Sequence, residues 1–140
     1  MKQEDRELLL KDLCARQPHG VILKTPQGDG YLNEVSLSIF GHELGVNIKV
    51  TERTRFKLEE CKPYLRPMSS MTKAEKKKFD DFCVIDEFIF EGNSEIGHKN
   101  QAIIMSGGID YLNSIHVDYR GLIPRGLAIA VTDENNPYKD

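Results

Sequence analysis

The sequence predicts a single α+β domain: an antiparallel sheet of four or five strands, laid out as a β-meander after an N-terminal helix, with about three helices packed on one face. Three observations lead there. Apolar residues recur at three- and four-residue spacing over 4–16, as on one face of a helix. Between Val35 and Val50 they alternate strictly with polar residues, as in half-buried strands. Thr72-Lys-Ala-Glu75 has the pattern of a capping box, which opens a helix.

The first helix sets Leu9, Leu10, Leu13 and Cys14 in an apolar stripe, with Glu7 and Lys11 four apart on the other side. Pro18 and Gly20 end it. Residues 21–24 are expected to form a strand, joined to the next by the turn-rich stretch 26–30. A two-residue turn at Gly41-His42 would set Ile39 opposite Leu44, Leu37 opposite Val46, and Val35 opposite Ile48. Every apolar pair then falls on the buried face, with Ser36 and Ser38 outside. Phe56 and Leu58 suggest a further strand.

The capped helix is expected to run from Thr72 to about Phe82 and to bury Phe79, Phe82 and Cys83. Residues 84–90 are compatible with a strand and 92–101 with a loop. A third helix from Gly108 turns Ile109, Leu112 and Ile115 or His116 inward, and ends at Gly121 and Pro124. Leu127, Ile129 and Val131 alternate with alanines, as in a strand covered on both faces. Residues 132–140 read as a polar, frayed tail.

Composition narrows the function classes. A chain of 140 residues suits one domain, 1–140. At 39% hydrophobic and 29% charged residues, it is neither disordered nor membranous. Its longest apolar runs are too short to span a bilayer, and no signal-peptide pattern opens it. Three separated cysteines speak against a disulfide framework, so a reducing cytoplasm is the expected location. Cys14 and Cys83 read as core residues; Cys61 is the one expected to be exposed. A net charge of −3 argues against wholesale attraction to phosphate backbones or anionic lipid.

No chemical motif stands out. The histidines at 19, 42, 98 and 116 form no helical ligand pair and the cysteines no C-x-x-C unit, so neither metal nor cofactor is expected. There is no G-x-S-x-G elbow, and Gly28-Asp-Gly30 reads as a hairpin turn, not a phosphate loop. Three clusters remain as binding candidates. Arg66, Ser69 and Ser70 precede the capped helix, whose free amides favour an anion; the alternative is a rigid, proline-stiffened connector. Lys49, Arg53, Arg55 and Lys57 share one parity, which makes either a phosphate-binding stripe or an ordinary charged sheet exterior. His116, Asp118, Tyr119 and Arg120 lie in a dense polar segment. Its preferred reading is a structural network in which Asp118 can hold the imidazole; a ligand site is the alternative.

Three phrases, LLLKDLCAR at 8–16, KPYLRPMSSMT at 62–72, and DYLNS followed by DYRGLI and GLAI within 110–129, resemble those of a family of short uncharacterised proteins from Bacteroidales genomes and their phages or mobile elements. The resemblance implies a small cytosolic accessory protein and carries over no catalytic or binding residue. The function expected is a non-enzymatic accessory or protein-interaction module with a protein partner and no membrane association, its oligomeric state left open. Nucleic-acid association through the basic stripe is the runner-up, and a small hydrolase or ligand-binding role the third reading.

Overall fold

Helix α1 (Gln3–Arg16) leads through a 3₁₀ turn into β1 (Ile22–Thr25), β2 (Gly28–Ser38), β3 (Gly41–Asn47), β4 (Arg55–Lys57) and β5 (Lys62–Leu65). Helix α2 (Lys73–Phe90), helix α3 (107–114) and β6 (Ile129–Ala130) complete the α+β fold. The computed structural model describes residues 1–39, 41–48, 55–90 and 107–139, with side chains described only to Phe82 in α2. The sheet has six strands in the order β4-β3-β2-β1-β5-β6, antiparallel except for the β5–β6 pair. The additional strand is β5, hidden in sequence within the stretch that reads as a proline-stiffened connector.

The β2–β3 hairpin has a different register from the expected one. The chain reverses between Ser38 and Gly41, so that Leu37 faces His42 and Val35 faces Leu44. Gly41, at φ 109°, takes a conformation that costs an L side chain strain, and the Ser38 hydroxyl donates to its carbonyl at 3.1 Å. The expected and observed registers differ by four residues, an even slip that leaves every side chain on its original face. Alternation alone therefore cannot distinguish them. A bulge between Leu32 and Glu34 then brings Leu32 onto the core face opposite Val46, and Gln17 donates to the Asn33 carbonyl at 2.7 Å. The slip carries Leu37 (73% exposed) and Ile39 (93%) into solvent. Gly28 and Thr25 close the β1–β2 hairpin, so Asp29 and Gly30 belong to β2 and not to the turn. Glycine is required at 30, where a Cβ would lie 2.4 Å from the Asn47 carbonyl oxygen.

Leu9 and Leu13 of α1 cover Val21, Leu23, Leu32, Leu44, Val46 and Phe56. Leu58, Cys61, Leu122 and Leu127 join the same cluster. Cys14 is exposed and Cys61 buried, the reverse of the expectation, because Asp12 and Arg16 take the sheet-facing positions of α1. Helices α2 and α3 contribute instead to a smaller cluster of Met71, Leu112 and Val117 with Phe79 and Ile115. Phe82 is half-buried; the side chain of Cys83 lies outside the described residues, as does the 92–101 stretch. Residues 84–90 continue α2 and form no strand.

The capping box at Thr72 forms as read: the Glu75 amide donates to the Thr72 hydroxyl at 3.1 Å, and the Thr72 amide to the Glu75 carboxylate at 2.9 Å. Replacing Thr72 by Ala leaves a first-turn amide without its protein acceptor. The expected loss is about 1 kcal/mol in a urea titration, with no change in the denaturant slope.

Candidate functional site

Two polar positions on α1 anchor a dense polar network. Asp12 and Arg16 follow Leu9 and Leu13 at helical spacing and are completely buried. Arg16 donates through Nε to Asp12 at 2.7 Å and through Nη2 to the Val117 carbonyl at 2.6 Å. Arg120 reaches the other Asp12 oxygen at 3.0 Å. The Tyr119 ring lies 5.2 Å from the Arg16 guanidinium and 4.6 Å from that of Arg120, and its hydroxyl donates to Asn113 at 2.9 Å. One carboxylate thus holds two cations beside one aromatic ring. Arg16 Nη1 is buried with no hydrogen-bond partner.

Helix α3 stops earlier than Gly121 and Pro124 suggest. His116 already lies beyond it, at φ 62°, and not on its apolar face. The next residues pair with the end of β5: the Arg66 amide donates to the His116 carbonyl at 2.7 Å, and the Asp118 amide to the Arg66 carbonyl at 2.8 Å. Asp118 does not hold the imidazole. Its two oxygens accept the Leu122 and Ile123 amides, each at 2.9 Å, and so fix the following turn. The His116 ring stacks on Tyr138 at 3.9 Å and 9°, with Nδ1 buried and without a partner. Burial, reinforced by the charges of Arg16, His19 and Arg66, holds its pKa down at about 4.

Tyr138 also corrects the picture of a frayed tail. Its hydroxyl accepts from the Ile22 amide at 3.0 Å and donates to the Tyr64 carbonyl at 2.8 Å. Burial pushes this phenol well above its ordinary pKa. The β6 strand is only two residues long, half-buried, and not the longer covered strand expected over 127–131.

Arg66 is committed to α2. Its guanidinium grips the Glu75 carboxylate through two bonds of 2.7 Å and reaches the Ser70 carbonyl at 3.0 Å. That grip holds the Glu75 carboxyl down at about 2. Ser70 donates to the Pro67 carbonyl at 2.7 Å, while Ser69 is exposed. Two open clefts flank this turn. One, of about 420 Å³, is lined by Arg66, Ser70, Val131, Thr132, Asp133 and Asn136. The other, of about 320 Å³, is lined by Pro67, Met68, Ser69, Asp118, Ile123 and Pro124, among others. His116 lines neither cleft.

Of the basic stripe, Lys49 and Arg53 lie outside the described residues. Arg55 and Lys57 are exposed on β4, where Arg55 meets Ser36 at 3.3 Å, Glu34 at 3.5 Å and Glu43 at 3.9 Å. The hydroxyls of Ser70 and Ser114 donate to backbone carbonyls and to no base. Among the described residues, no three His, Cys, Asp or Glu side chains are placed to hold a metal ion.

The sequence reading missed Asp12, Arg16 and Tyr138. The first two carried a signal, since a charged pair four apart falls in the same helical stripe as Leu9 and Leu13. Tyr138, set among polar neighbours, carried none. No family model, curated protein or solved structure matches the chain.

Proposed function

We propose that the protein is a non-catalytic interaction module, a small accessory protein that captures a protein partner through the tip of the β2–β3 hairpin. The observation that carries this reading is the exposure of Leu37, near the end of β2, and of Ile39, in the turn that follows it. Each forgoes roughly 1.5–3 kcal/mol by remaining in water, which contact with a partner recovers. Glu34, Ser36 and Glu43 lie on the opposite face of the same hairpin, and these acids make it a poor fit to an anionic bilayer. The polar cluster supports the same reading from the other side, since Arg66, Asp118 and Arg120 are engaged within the chain itself. The resemblance to short proteins of Bacteroidales genomes, phages and mobile elements suggests where to seek the partner. The acids beside Arg55 weigh against a phosphate-binding stripe.

The test is a Leu37→Asp, Ile39→Asp double variant. Its melting temperature should match that of the parent, while binding to a partner purified from the native host falls at least about tenfold, the loss of a small hot spot. Unchanged binding in a folded double variant would reject the hairpin tip.

A further inference from the structure

We propose that residues 132–139 form a strap that seals the seam between β1 and β5 through Tyr138, and that protonation of His116 releases the strap while the sheet stays folded. The register makes the seam visible. β1 and β5 pair at Leu23–Pro63 and Lys24–Lys62, so the next antiparallel pair in line is Ile22 with Tyr64. No direct pair forms there. The Ile22 amide donates instead to the Tyr138 hydroxyl, which passes a bond on to the Tyr64 carbonyl. A side chain more than one hundred residues away has taken the place of a ladder bond, since 116 positions separate Ile22 from Tyr138.

Tyr138 and His116 are held very differently. His116 is fixed by its backbone: its amide donates to Asn113, its carbonyl accepts from Arg66, and the next amide returns to Leu112. Beyond Tyr138, the hydrogen bonds of the strap to described residues are local ones, Thr132 with Asn135, Asn135 with Ala130, and Asn136 with Tyr138 and Lys139. When the stack must open, the strap is the part that moves.

Protonation requires it to open. The buried Nδ1 has no acceptor, and the ring faces the charges of Arg16 from α1, His19 from the turn after α1, and Arg66 from the end of β5. Asp12, the nearby acid of α1, is bonded to Arg16 and Arg120. On the strap side stands Tyr138, whose phenol burial keeps neutral, with Tyr31 of β2 close to it. An imidazolium gains some attraction from the Tyr138 face, but a buried cation without an acceptor costs more than that attraction returns. Lifting the strap lets water reach the ring.

The sign follows from the depressed pKa. The docked state resists the proton down to about 4, against an ordinary 6.5. Docking is therefore full above pH 6.5 and weakens as pH falls towards 4, by up to about tenfold per pH unit. Glu75 remains ionised throughout that window, so the grip on Arg66 persists.

Amide hydrogen exchange of the whole chain, followed by NMR from pH 7 to 4 and corrected for intrinsic rates, reads this directly. The Ile22 amide reports the seam, and the Leu32 amide, bonded to the Val21 carbonyl, reports the sheet. Protection at Ile22 should fall steeply below pH 6.5 while Leu32 stays protected, and H116Q should abolish the slope. Y138F keeps the stack but loses the bridge, so Ile22 protection should drop roughly fivefold to tenfold at every pH, with the slope retained. The proposal is overturned by a flat Ile22 profile in the parent chain, by loss of Ile22 and Leu32 together, by the same slope in H116Q, or by unchanged Ile22 protection in Y138F.

Discussion

Replacing Asp12 by Ala should lower the unfolding free energy by about 3–5 kcal/mol, the largest single-residue effect expected on α1. Removal of one partner from a buried pair leaves the other charge stranded. Arg16 is completely buried, its Nη1 already lacks a partner, and without Asp12 it would hold only the Val117 carbonyl. Arg120, partly exposed, can turn out to water and soften its share of the loss. The pair itself is a different matter. Two ions withdrawn from water give back little net stability, so an Asp12→Ala, Arg16→Met double variant should recover much of the single-variant loss. Urea denaturation of the two single variants and the double variant measures the coupling. Strictly additive losses would mean that the two charges do not depend on each other.

The second large effect separates the two hairpin registers. Leu44 is fully buried opposite Val35 and Phe56, so Leu44→Ala should cost about 2–5 kcal/mol in transfer and cavity terms. Leu37→Ala removes a side chain that is already in solvent and should stay within about 0.5 kcal/mol. Midpoints in urea that shift equally for both would restore the register in which Leu37 faces Val46.

What the sequence disclosed follows from which physics is periodic. Alternation revealed β2 and β3, the Thr72–Glu75 spacing revealed the start of α2, and the Leu9–Leu13 stripe revealed α1. Register was out of reach, because a slip of four residues preserves the face of every side chain. The strand β5 was out of reach too: it is four residues long, contains Pro63, and gains its place from its neighbours. The candidate site was half legible. The density of polar groups in 116–120 marked a segment whose Asp118 and Arg120 bond within the chain, but Asp118 holds the Leu122 and Ile123 amides and not the imidazole. Its partners did not follow, since the Asp12 counter-charge and the Tyr138 stack come from distant parts of the chain.

The bond from Arg16 to Val117 also constrains the order in which the molecule can assemble. The hairpins β1–β2 and β2–β3 join near neighbours in sequence and can form on the timescale of microseconds. Docking α1 on them buries a guanidinium whose carbonyl acceptor lies 101 residues further on. Until that carbonyl arrives, the docked helix carries a charge satisfied only by Asp12, and detachment competes with progress. Closure by the 115–120 segment therefore bears the loop-closure cost of a contact 101 residues apart, a cost the local hairpins do not carry. An Asp12→Ala, Arg16→Met chain carries neither buried charge and should commit α1 to the sheet earlier, seen as faster refolding in stopped-flow measurements.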